Sequence, residues 1–237
     1  MQRILVAFEF LTFGVHHRGV RIAPEQVGAA AVYFPLVGFG LGLVLNIVNR
    51  VMEPYLGSEI LSVALVAILV VMTAAIHLQG LQKTCDVWGA RPSVAGLASP
   101  PLGTYGVIAL LFVVLFKVRS VEVIGETLGL SLLLTPIFAR WGLVMFLYGS
   151  TSALDDTARI VARQVKTWHM VVSSVATLTF AFFLAGRTAL WIGLSVSLLA
   201  LLGRYFLCRR HGGISYDNFG ALIEVSEAVA FLFFASV

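Results

Sequence analysis

The chain has 237 residues, 59% of them hydrophobic and only 12% charged, with a mean hydropathy of +0.96. Soluble domains carry about twice that share of charge, which argues against a water-soluble globule, and seven spans of about 20 residues each leave no room for a separate soluble domain. Two cysteines cannot build a disulfide framework, and the net charge of +4 reads as a membrane-topology signal, not as affinity for nucleic acid.

The opening run from Ile4 to Val15 is apolar but holds Glu9 and is followed by His16, His17 and Arg18. That pattern predicts an uncleaved segment, within residues 1–27, lying in the cytoplasm or along the membrane surface. Long apolar stretches then occur at about 28–49, 60–78, 104–121, 127–149, 169–186, 188–207 and 217–237, each near the length of a spanning helix. The expected architecture is therefore all-α: a polytopic membrane helical bundle of about seven transmembrane helices, forming one domain over 1–237.

Lys and Arg set the orientation. With the N-terminus in the cytoplasm, the inside segments hold Arg3, Arg18, Arg21, Lys83, Arg91, Arg159, Arg163, Lys166, Arg209 and Arg210. Arg50, Lys117, Arg119 and Arg187 fall outside, while Arg140 and Arg204 lie within spans. This topology puts the longest polar stretches, 1–27, 79–103 and 150–168, on the cytoplasmic face, where Cys85 and Cys208 remain thiols.

Polar groups at membrane depth need a partner or a job, and four clusters qualify. His77 to Asp86 sits at the cytoplasmic exit of the second span, where His77, Lys83 and Asp86 could meet a phosphate, a metal or one another. Pro100-Pro101-Leu-Gly-Thr-Tyr-Gly106 opens the third span with free backbone N–H groups at a helix start, a natural anion site. Arg140-Trp141 sits in the middle of the fourth span, where an arginine must face protein, water or an anion. Asp217, Glu224 and Glu227 occupy one stripe of the last span, at spacings of seven and three residues. Those three carboxylates suit Mg2+ coordination, a transporter's proton relay, or structural pairing with Arg140, Arg204 and Lys83.

Together these segments resemble the adenosylcobinamide-GDP ribazoletransferases, or cobalamin synthases. Tyr33-Phe-Pro-Leu-Val-Gly38 is similar to that family's first-helix signature, His77 to Asp86 to its HLDGLADTAD block, and Gly103-Thr-Tyr-Gly106 to its RIGTYG segment. Arg140-Trp141 resembles its GRW, and Asp217 to Glu227 its TGDxLGAxNExxE stretch. The resemblance implies a multi-pass enzyme of the bacterial inner membrane that transfers α-ribazole, or its 5′-phosphate, onto adenosylcobinamide-GDP with release of GMP. It further implies a magnesium-dependent transferase in which Asp86, Asp217, Glu224 and Glu227 hold Mg2+, Asp86, Asp217 and Glu224 doing the chemistry. His77, Arg140 and Gly103, Thr104 and Tyr105 would contact substrate, and Lys83, where the family has an aspartate, could bind a phosphate directly as a point charge. Two family aspartates of the HLDGLADTAD block are Gln79 and Lys83 here, and the asparagine of the last stretch is Ile223. The family's KDSRI run reads Ala98-Ser-Pro-Pro-Leu102, and its LTRIP motif Leu11-Thr-Phe-Gly-Val15. Two further readings stay open at this point: a non-catalytic membrane paralogue that binds a cobamide precursor or partner enzyme, and a small proton-coupled transporter.

Overall fold

The computed structural model describes residues 2–12, 23–89, 103–150 and 153–236. These form α1 (Gln2–Leu11), α2 (Pro24–Ala29), a 3-10 turn (Ala31–Tyr33), α3 (Phe34–Met52), α4 (Ser58–Met72), α5 (Ile76–Gly89) and α6 (Thr104–Val123), followed by α7 (Leu128–Leu147), α8 (Asp156–Gln164), α9 (Thr167–Ala185), α10 (Arg187–His211) and α11 (Asp217–Ala235). Among the described residues there is no strand beyond one isolated bridge, Ala153 to Ile214. The chain is a multi-pass α-helical membrane protein. Among the described residues five helices are long and apolar enough to cross a membrane, and α4 with α5, bent by 88° at their junction, counts as a sixth when the bent pair is taken as one broken span. The remaining apolar stretch, 104–121, forms the 20-residue α6.

The expected second span, 60–78, is interrupted. Ala74 and Ala75 adopt positive φ angles of 50° and 56°, a conformation that costs an L-residue about 1–2 kcal/mol. The chain turns there, so His77 to Asp86 forms the separate helix α5 instead of the tail of a straight span. At the N-terminus, α1 docks on the bundle: Ala7, Phe10 and Leu11 are buried, and Phe10 stacks on Phe34 at 5.8 Å and meets Tyr216 edge-on at 6.0 Å.

The central element is α7, which packs on α3, α9, α10 and α11. Its Pro136 supplies no N–H, and glycines of α3 close on the carbonyls of that stretch. A Cβ at Gly38 would overlap the Pro136 carbonyl, and one at Gly42 would lie 2.8 Å from the Leu132 oxygen. Small residues one turn apart are the usual device for bringing membrane helices into backbone contact. Around this core, α9 and α10 present Val175, Phe183, Trp191 and Leu202 outward, an apolar surface suited to lipid.

Candidate functional site

Two glycines build the site. In α5, a Cβ on Gly80 would lie 2.5 Å from the Asp217 carbonyl oxygen; in α11, one on Gly220 would lie 2.8 Å from both the Cα and the carbonyl of His77. The two helices therefore touch backbone to backbone, and Thr84 Oγ accepts a 3.0 Å hydrogen bond from Asn218 Nδ2 between them. That contact sets His77, Gln79 and Lys83 across from Asp217. The start of α11 is fixed from a third direction by Asp155. One carboxylate oxygen caps α8 by accepting from Ala158 N–H at 2.7 Å, and the other accepts from Tyr216 N–H at 2.8 Å.

The result is a cleft of about 110 Å³ whose polar lining is His77, Gln79, Lys83, Tyr216 and Asp217, walled by Phe10 and Leu11 of α1 and by Leu143 of α7. Its volume is below the roughly 300–1,000 Å³ of a typical whole-ligand pocket, so it accepts a phosphate-sized part of a larger ligand. Lys83 Nζ stands 3.5 Å from Asp217 Oδ1, and both side chains are substantially exposed, at 49% and 37%. His77 is buried, and its Nε2 has no partner. The Tyr216 phenol is pushed above its ordinary range by burial and by the carboxylates of Asp217 and Asp155, so it remains a neutral donor.

Behind the cleft lies a second, fully buried set of charges. Lys117 of α6 donates to Glu224 Oε2 and Glu227 Oε2, each at 2.5 Å. Arg140 of α7 pairs with the other Glu227 oxygen. Two cations and two carboxylates cancel, which is how these charges are tolerated at membrane depth. Arg140 keeps Nε and Nη2 without partners. It is completely buried and does not line the cleft, unlike the substrate-contacting position expected for it. Arg204, the third candidate partner for the acidic stripe, instead donates to the Tyr148 carbonyl.

Asp86 lies apart from both sets. Its carboxylate accepts from Gln82 Nε2 at 2.8 Å, Gly103 N–H at 3.0 Å and Gly106 N–H at 2.7 Å. The loop before α6 is thus an anion site, as its sequence suggests, but the anion it holds is the chain's own Asp86. A Cβ at Gly103 would overlap that carboxylate. Thr104 and Tyr105 are exposed, with the Tyr105 ring against Gly89. Pro100, Pro101, the rest of Ala98 to Leu102, and residues 13–15 of the Leu11 to Val15 motif lie outside the described residues.

The four carboxylates expected to hold Mg2+ do not form one site. All twelve Asp and Glu residues are among the described residues, and no group of three or more His, Cys, Asp or Glu there is placed to bind a metal ion. Glu224 and Glu227 are neutralised by Lys117 and Arg140, and Asp86 is saturated by N–H donors. Asp217 is the one carboxylate lining the cleft, and an ammonium sits beside it. A larger cavity of about 520 Å³ lies at the other end of α6, lined by Asn49, Arg50, Glu53 and Glu126; it contains none of the motif residues.

The residue that sequence reasoning missed is Lys117. It counts as an outside loop charge in the topology tally, yet it is 1% exposed and bridges both glutamates. The available signal was a balance of charge: Lys117 and Arg140 within apolar stretches match Glu224 and Glu227 in number.

The fold and site define a polytopic helical membrane protein with a small cation-bearing cleft at one end of the bundle. Residues 3–235 match the family model of cobalamin-5-phosphate synthase, and the chain belongs to that family. It is 28% identical over 232 residues to the adenosylcobinamide-GDP ribazoletransferase of Geotalea daltonii, covering 96% of this chain and 94% of that protein. Proteins of the same name from Pseudomonas putida and Pseudomonas paraeruginosa are 31% and 32% identical, covering 89% and 96% of this chain and 88% and 95% of theirs. No solved structure matches the chain.

Proposed function

We propose that this protein is an adenosylcobinamide-GDP ribazoletransferase, joining α-ribazole or its 5′-phosphate to adenosylcobinamide-GDP with release of GMP in cobalamin biosynthesis. The observation that carries the reading is the family match along residues 3–235, and the cleft between α5 and α11 supports it. The reaction is attack by a ribose hydroxyl on the cobinamide-linked phosphorus of a phosphoanhydride. The P–O bond to the GMP phosphate breaks, and the electron pair leaves on that oxygen. Three things help such a transfer: a cation for the phosphate oxygens, an acceptor for the hydroxyl proton, and fixed geometry. Lys83 is the cleft's ammonium, His77 Nε2 is its free acceptor, and the Gly80 and Gly220 contact supplies the rigid frame. In this reading Asp217 holds Lys83 until a phosphate takes its place. The corrinoid and guanosine extend beyond the cleft, whose 110 Å³ suits the phosphates alone.

In the same reading the enzyme lies in the inner membrane with the cleft toward the cytoplasm. Arg50, Arg119 and Arg187 fall at the opposite end of the bundle, in the sense favoured by the positive-inside rule. Purified protein in detergent or vesicles, given adenosylcobinamide-GDP and α-ribazole, is expected to release GMP, and both Lys83→Met and His77→Ala are expected to lower the rate at least tenfold. GMP release no greater than in protein-free controls, from protein that unfolds cooperatively, would refute the assignment.

A further inference from the structure

We propose that the cleft between α5 and α11 grips the diphosphate of its ligand with Lys83 in place of a divalent cation. This deepens the preceding reading and rests on it. Every Asp and Glu of the chain is among the described residues. Of the twelve, Asp217 alone lines the cleft. Its near neighbours in sequence or space are occupied: Asp155 by the N–H groups of Ala158 and Tyr216, Asp86 by Gln82, Gly103 and Gly106, and Glu224 and Glu227 by Lys117 and Arg140.

Mg2+ is held through one or two carboxylates plus substrate phosphates, in near-ideal octahedral geometry. Here the single carboxylate in the cleft lining has an ammonium 3.5 Å away, so a divalent ion at Asp217 would face a positive charge at short range. The same ammonium is well placed for an anion. Lys83 is half-exposed, its Nζ has three donors and pairs with only one Asp217 oxygen, and a point-charge ammonium is an ordinary partner for phosphate. His77, nine-tenths buried or more and with Nε2 unpartnered, lines the same cleft, and Gln79 adds an amide to that lining. An ammonium and an amide on a phosphate-sized cleft make a metal-free anion site, with the His77 side chain in the same lining.

The test is binding of GDP to the full-length protein in detergent, by calorimetry, in EDTA and in millimolar Mg2+, with inorganic pyrophosphate as a second probe. The expected result is affinity within about twofold in the two conditions. Lys83→Arg is expected to keep binding and Lys83→Gln to weaken it by about tenfold or more, as for loss of a charge-assisted contact. Lys83→Asp, which sets two carboxylates face to face, is expected to bind GDP only when Mg2+ is present. Thermal unfolding of each variant separates a binding defect from a folding defect; Lys83 is exposed enough for all three to fold. Wild-type binding that requires Mg2+ would overturn the inference and leave the cleft as the phosphate site. No binding of GDP or pyrophosphate under either condition would overturn both.

Discussion

Lys117→Met removes the ammonium that bridges Glu224 and Glu227 while keeping a side chain of similar length. In the native bundle the buried set is neutral: Lys117 and Arg140 against the two glutamates. In the variant, Arg140 alone faces two carboxylates, and Glu224 loses the partner that holds it at 2.5 Å. Removing one member of a buried ion pair costs about 3–5 kcal/mol, because it strands a charge out of reach of water. For a chain of this length that corresponds to a drop in unfolding temperature on the order of 10 °C. The control is Lys117→Met with Glu224→Gln, which restores neutrality around the Arg140–Glu227 pair. Thermal unfolding in detergent, followed by intrinsic fluorescence, is expected to show the single variant well below wild type and the double variant recovering more than half of the loss. A single variant as stable as wild type, or a double variant no better than the single, would refute the electrostatic account of this cluster.

Other contacts make equally concrete predictions. Gly80→Ala places a methyl 2.5 Å from the Asp217 carbonyl; separating α5 from α11 is expected to cost about 1–3 kcal/mol and to abolish GDP binding by calorimetry. Asp155→Ala removes both the α8 cap and the acceptor for Tyr216 N–H, and is expected to destabilise by about 2 kcal/mol, seen as a lower unfolding temperature. Asp86→Asn replaces one acceptor oxygen by a donor facing the N–H groups of Gly103 or Gly106. It is expected to lower unfolding temperature and GMP release together, whereas Asp217→Asn, at the exposed Lys83 pair, is expected to change GMP release with little change in unfolding temperature.

Hydropathy made the fold legible, since each of the seven apolar stretches contains a helix of 15 residues or more. The break at Thr73 to Ala75 is hidden because alanine carries no sign that it will adopt positive φ; the turn is closed by backbone hydrogen bonds from Ala74 and Ala75 N–H to the Val71 and Val70 carbonyls, which hydropathy does not encode. Composition singled out segments with polar residues at membrane depth, and His77, Lys83 and Asp217 from two of them meet in one cleft. It did not reveal which carboxylates were already occupied. The stripe Asp217, Glu224, Glu227 was correctly read as lying on α11, but its two deeper members meet Lys117 from a helix more than one hundred residues away. Periodicity within one helix says which residues share a face, not what faces them. The loop at Gly103 to Gly106 was likewise recognised as an anion-binding helix start, and only the tertiary structure identified Asp86 as the anion.

The two charge systems differ in the free energy needed to disturb them, and that difference assigns their roles. The Lys83–Asp217 pair is exposed at 3.5 Å, so holding it together contributes about 0–1 kcal/mol. A diphosphate carrying more than one negative charge can displace Asp217 at little cost, and the ammonium needs to move only within the cleft. The buried set, with contacts at 2.5 Å and about 3–5 kcal/mol at stake for each missing partner, cannot exchange with a ligand in the same way. It fixes α6, α7 and α11 against one another beneath the site. The deep charges therefore hold the frame, and in the proposed function ligand response would be confined to the shallow pair, whose exposed lysine would follow a phosphate.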